Sequence, residues 1–69
     1  MTQKERVINY IRDYGSITPL DAMRDLGIMR LAARVHDLRA DGYRIASDMV
    51  GVENRWGEKT MIARYRLEE

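Results

Sequence analysis

The stretch SITPLDAMRDLGIMRLAARVHDLRADG, residues 16–42, decides the fold. Thr18-Pro19-Leu20-Asp21 reads as a helix start. The threonine hydroxyl can take an orphan amide, proline suits the first helical position, and Asp21 complements the positive end of the helix dipole. Leu20, Met23 and Leu26 form the expected inner face, and Gly27 stops the helix after about two turns. A further helix follows at once, over Met29–Asp41. Its Leu31, Val35 and Leu38 stand at i, i+4 and i+7, which predicts a buried stripe. Ala32 and Ala33 keep it slim, and Gly42 closes it. The expected outward arc holds Arg30, Ala33, Arg34, Asp37 and Asp41.

Upstream, Thr2 followed by Glu5 fits a capping box that opens a first helix. Val7, Ile8, Ile11 and Tyr14 share one face of it, and Gly15 ends it. Ser16-Ile17 reads as a short extended link. Downstream of Gly42 the hydropathy period changes to two. Tyr43, Ile45 and Ser47 alternate with Arg44, Ala46 and Asp48. Further on, Met61, Ala63, Tyr65 and Leu67 alternate with Thr60, Ile62, Arg64 and Arg66. The polar segment 52–59 joins the two strands into an antiparallel hairpin. Leu67-Glu68-Glu69 is expected to fray, and Tyr10, Tyr14, Tyr43 and Tyr65 to edge the core. The fold class is α+β, with three helices followed by a two-stranded antiparallel hairpin, in one domain over 1–69.

Composition narrows what such a domain can do. A chain of 69 residues buries only about 60% of its unfolded surface, leaving little room for an enclosed cofactor. It has no cysteine and one histidine, so no disulfide or thiolate metal site is available. No glycine-rich phosphate loop and no nucleophile–base set is present. Asp21 and Asp25, at i and i+4, mimic a paired carboxylate, but Asp21 is accounted for at the helix start. Neither an enzyme nor a cofactor is expected. No apolar run is long enough to span a membrane, and the N-terminus has no signal-peptide core, so a cytoplasmic protein is expected. The start at Met1 favours a free-standing domain over a detached piece of a larger regulator. Net charge is +1, but it is uneven. Residues 1–29 balance four bases against four acids, whereas residues 30–66 carry eight bases against five acids. The positive excess lies in the C-terminal half.

Two helices joined around a glycine are a helix-turn-helix pattern. The second is rich in arginine and leads directly into a hairpin. The DNA major groove admits one α-helix, and arginine can bond two acceptors on guanine or neutralise a phosphate. Arg30 and Arg34 lie one turn apart near the helix start, the end that usually enters the groove. Asp37 can accept from a cytosine amine or orient Arg34. Arg55 and Lys59 in the hairpin loop, with Arg44 on the first strand, suit phosphate contact, while Glu53 and Glu58 oppose it. Trp56 either folds back to staple the hairpin or stands exposed for DNA sugar or a protein partner. Arg39 is placed to pair with an acid on the first helix, and His36 to lie beside the stripe without a catalytic task.

These residues resemble a known family. Ser16-Ile17-Thr18-Pro19-Leu20-Asp21-Ala22, Leu26-Gly27-Ile28, Arg30-Leu31-Ala32-Ala33-Arg34-Val35, Asp37-Leu38-Arg39 and Gly42-Tyr43 look like the small winged helix-turn-helix domains common in phages and prophages. The resemblance runs from about Thr2 to Leu67. It implies that Arg30 and Arg34 are exposed on a recognition helix and that Arg55 and Lys59 belong to the wing. The expected function is therefore a double-stranded DNA binder, either a phage or prophage transcriptional regulator or an excisionase-like factor. Its DNA contacts would be Arg30, Ala33, Arg34, Asp37, Arg44, Arg55, Trp56 and Lys59. One module buries little area on DNA, so a weak or DNA-assisted homodimer is expected. The competing reading is a winged helix that binds and inhibits a host protein, which the balanced charge favours.

Overall fold

A computed structural model describes residues 1–68. Helix α1 spans Gln3–Tyr14 and opens on a complete capping box. The Glu5 amide donates to the Thr2 hydroxyl at 3.2 Å, and the Glu5 carboxylate accepts from the Thr2 amide at 3.1 Å. The second helix, α2, begins with Pro19–Asp21 and has its own reciprocal box. The Asp21 amide donates to Thr18 Oγ1, and the Thr18 amide donates to Asp21 Oδ2. Asp21 thus acts directly on the backbone as well as through the helix dipole.

The chain then widens into a π turn over Ala22–Leu26. The Ile28 amide reaches back to the Ala22 carbonyl at 3.0 Å, and Gly27 takes the left-handed conformation (φ 68°) that the turn requires. The wider turn breaks the 3.6-residue phase, and this corrects the expected inner face. Leu20 and Met23 are 52% and 47% exposed, while Ala22 and Ile28 are buried in their place. Leu26 is half-buried against the core.

Helix α3 spans Leu31–Ala40, shorter at each end than the expected 29–41. Arg30 sits outside it in a non-helical conformation, with no side-chain cap, and its carbonyl takes the first amide bond from Arg34. Leu31, Val35 and Leu38 are buried as the periodicity predicted. Strands β1 (Ile45–Glu53) and β2 (Lys59–Leu67) pair antiparallel, from Ile45 opposite Leu67 to Glu53 opposite Lys59. The fold class is as expected: three helices followed by a two-stranded antiparallel hairpin.

The core is one cluster around Val7, Ile11, Ile17, Ile28, Val35 and Leu38, closed by Ile45 at the hairpin base. Ile17 does more than link helices. It exchanges both backbone hydrogen bonds with Tyr65, at 2.9 and 2.8 Å, and its side chain is fully buried. The hairpin follows the expected inward set at Ile45, Tyr65 and Leu67, with Ala63 half-buried, but not at two other positions. Ser47 and Met61 are exposed, whereas Val50, Val52 and Ile62 on the opposite face are half-buried. Pro19, Leu20, Met23 and Met29 border those residues, so α2 and the approach to α3 shelter that face of the sheet.

Three smaller expectations change. Arg39 bonds no acid of α1: its Nε and a terminal nitrogen donate to the Ile45 carbonyl at 3.0 and 2.8 Å, tying α3 to the hairpin base. Tyr14 is exposed, leaning on Tyr10 with ring centroids 4.6 Å apart. Leu67 belongs to β2, and the Glu68 amide donates to the Arg44 carbonyl, so the end of the chain is held that far. The part of the fraying expectation that falls on residue 69 lies outside the described residues. None of the described helices is long and apolar enough to cross a membrane.

Candidate nucleic-acid interface

At 3.6 residues per turn, the buried stripe of α3 leaves two flanks and an outward strip. One flank faces α1. Arg34 is half-buried there: a terminal nitrogen donates to Gln3 Oε1 at 3.2 Å, and its Nε lies 3.2 Å from the Asp37 carboxylate. That Nε is itself buried without a properly aligned acceptor, so the ion pair is held loosely. Asp41, on the same flank, receives the Lys4 ammonium at 2.7 Å. That contact holds the Lys4 ammonium above its ordinary pKa, chiefly through the hydrogen bond. Ala33 is half-buried between the flank and the outside. The uncovered strip runs through Ala32, His36 and Ala40, all exposed.

The arc read from sequence therefore lies toward α1, with Arg30 exposed at its leading end. Sequence reasoning missed Ala32, His36 and Ala40 as the open face. Their signal was present, since each lies about opposite or beside the Leu31–Val35–Leu38 stripe.

The hairpin turn is tighter than the segment 52–59. Val52, Glu53 and Lys59 belong to the strands, and the turn proper is Asn54–Glu58. Asn54 organises it: its Oδ1 accepts from the Trp56 and Glu58 amides, both at 3.0 Å. The Asn54 amide donates to the Glu58 carbonyl, and the Gly57 amide donates to the Asn54 carbonyl. Gly57 takes φ 77°, the left-handed position that completes such a turn. An asparagine three residues before a glycine was the sequence signal for this role.

Trp56 does not staple the hairpin; it is 75% exposed, with the Arg55 guanidinium 5.7 Å from its ring centroid. Arg55 and Lys59 are exposed near this end. The Lys59 stem lies across Gly51, where any Cβ would approach it within 3.3 Å. Arg44 is exposed at the opposite end of the hairpin, about 30 Å away at the rise of a β-strand. The structure therefore groups Arg55, Trp56 and Lys59 and separates Arg44 from them. On the sheet face that also carries Val50 and Ile62, Arg64 is occupied by Asp48 at 2.7 Å, a contact that depresses the Asp48 pKa.

The carboxylates of the second helix are also engaged. Asp25 accepts from the Tyr10 hydroxyl at 2.6 Å and from Arg24. Arg24 and then Tyr10 hold its pKa down to about 2, while the bond to Asp25 pushes the Tyr10 hydroxyl up to about 12. Asp21 is taken by its own helix cap and by Arg24.

Three helices, an extended residue paired to the last strand, and an exposed hairpin tip define a winged helix-turn-helix, a DNA-binding fold that is typically non-enzymatic. The family described as "Winged helix-turn-helix domain" matches residues 2–69, and the chain belongs to it. Comparison with curated proteins and with solved structures gives no match.

Proposed function

We propose that this protein reads duplex DNA as a small cytoplasmic regulator of the phage or prophage type, or as an excisionase-like factor. In this reading α3 lies in the major groove and the hairpin tip contacts the flanking backbone. The observation that carries it is the pairing of an uncovered α3 strip with an exposed hairpin tip bearing Arg55 and Trp56.

Alanines at 32, 33 and 40 let the helix backbone approach the groove floor and suit thymine methyl groups. Arg30 supplies a free guanidinium at the helix start. Arg34 joins it once its half-buried contacts to Gln3 and Asp37 are exchanged for a base or phosphate. Asp37 then accepts from a cytosine amine or aligns Arg34, and His36 adds a further donor. Arg55 and Lys59 position the wing on phosphates, with Trp56 against sugar. Arg44 serves a separate phosphate near the hairpin base.

A second reading is a winged helix that inhibits a host protein. The exposed apolar strip of Leu20, Met23 and Met29 favours it.

Selection from a random duplex pool, followed by sequencing, tests the first reading. One motif should be enriched, and Arg30→Ala combined with Arg34→Ala should abolish the enrichment while the circular dichroism spectrum is retained. A folded wild-type protein that enriches nothing would contradict DNA reading and move the search to host proteins.

A further inference from the structure

The outer edge of β1 is open. Tyr65 directs its amide and carbonyl to Ile17, away from β1. Its partner Ser47 therefore turns its own backbone groups away from β2, and the antiparallel pattern repeats this at Met49, Gly51 and Glu53. All four of these residues are exposed. Ile45, next in the series, has its carbonyl occupied by Arg39.

Edge strands are normally blunted by proline, lysine, a bulge or a covering element. β1 itself has neither proline nor lysine, its register with β2 runs without a bulge, its two charges, Asp48 and Glu53, stand to either side of its centre, and the Lys59 stem of β2 lies across Gly51. Its central residues, Met49-Val50-Gly51-Val52, carry no charge.

We propose that β1 pairs antiparallel with β1 of a second copy of this chain, about a two-fold axis at Gly51. The strand's side-chain order selects this register. Gly51 meets Gly51 at the axis, and each pair exchanges amide–carbonyl bonds from the free edge. Val50 stands opposite the second copy's Val52, on the face already sheltered by Met23 and Met29, so the apolar strips of the two copies become continuous. Asp48 stands opposite the second copy's Asn54, an acceptor facing an amide. A shift of the axis to Val50 would set Val52 against Asp48, and a shift to Met49 would set Val50 against Asp48. Either leaves a valine facing a carboxylate that Arg64 already holds.

The pairing uses the same edge on both copies, so assembly closes at a dimer and does not propagate. In this register Ser47 of each copy stands opposite the second copy's Arg55, so each wing tip borders the contact. The dimer stands independently of the DNA reading.

On the other face, this register sets Met49 opposite the second copy's Glu53, twice per dimer. Met49 is 58% exposed, so its substitution leaves the monomer fold intact. Sedimentation velocity of the full chain across micromolar to millimolar concentration tests the assignment, with circular dichroism as the control for folding. The wild type should associate reversibly to a dimer. Met49→Lys should tighten it and Met49→Glu weaken it, each by about tenfold, because like charges directly opposite repel and unlike ones attract. Adding Glu53→Lys to Met49→Glu should restore association. A wild type that stays monomeric at every concentration would overturn the proposal. So would lysine and glutamate at position 49 shifting the constant in the same direction. A monomer that still selects a DNA motif would overturn the dimer alone, and a dimer that selects none would overturn DNA reading alone.

Discussion

The helical half and the hairpin are built on different terms. In the helical half, side chains from α1, Ile17, α2 and its π turn, Ile28 and α3 close one apolar cluster, and every fully buried residue except Ile45 precedes the hairpin. The hairpin beyond Ile45 holds together through its backbone ladder and a few half-buried side chains, among them Val50, Val52 and Ile62. Stability is therefore concentrated in the body, and the hairpin tip carries little of it. Changes in one should leave the other largely intact.

The strongest break of that contrast is a core truncation. Leu38→Ala should cost about 2–5 kcal/mol, enough to unfold much of so small a domain, whereas Val50→Ala on the half-sheltered sheet face should cost roughly 1 kcal/mol. Urea titration of the two variants measures the gap; equal losses would show that the hairpin shares the core's burden. Next in size are the helix starts. Thr2→Ala or Thr18→Ala should each cost about 1 kcal/mol by leaving orphan amides unmet, as thermal melts would show.

The acid response should be smaller still. Asp25 is depressed from its ordinary 3.8 to about 2, and Glu5 and Asp48 are also lowered, by hydrogen bonds from Thr2 and Arg64 respectively. Their stabilisation is fully present above the ordinary carboxylate range. It is lost as pH falls through their folded values toward about 2, because the unfolded chain then binds more protons. For Tyr10 the sign reverses: its contribution holds below 10.0 and fades as pH rises through about 12. Melting temperature against pH should therefore fall on the acid side, and Asp25→Asn should flatten part of that fall. The smallest expected effect on stability is at the tip. Trp56→Ala should change it by less than about 0.5 kcal/mol, since the ring is exposed. A large loss would mean that the ring folds back in solution.

What the sequence revealed follows the same divide between local and tertiary causes. Both capping motifs, the glycine stops and the switch from helical to alternating hydropathy are local, and they placed every element within a few residues. Ile17 escaped because a single paired residue has no period to read. The inner face of the second helix was misplaced because its three α-helical residues pass at once into a π turn, where no 3.6-residue period holds: Ala22 and Ile28 are buried, and Leu20 and Met23 are not. On α3 the buried stripe was legible, but which flank α1 covers depends on packing. That is why Arg34 and Asp37 proved half-covered while Ala32, His36 and Ala40 stand open. The exposure of Trp56 depends on the Asn54 turn, which compositional reading of the loop did not resolve.

The joint use of α3 and the wing tip on DNA is tested most directly by the salt dependence of duplex binding. With about four to six phosphates neutralised, the log–log slope should be roughly −4 to −5, and Arg55→Ala combined with Lys59→Ala should make it shallower by about two. A slope near zero, or one unchanged by removing both cations, would contradict the account.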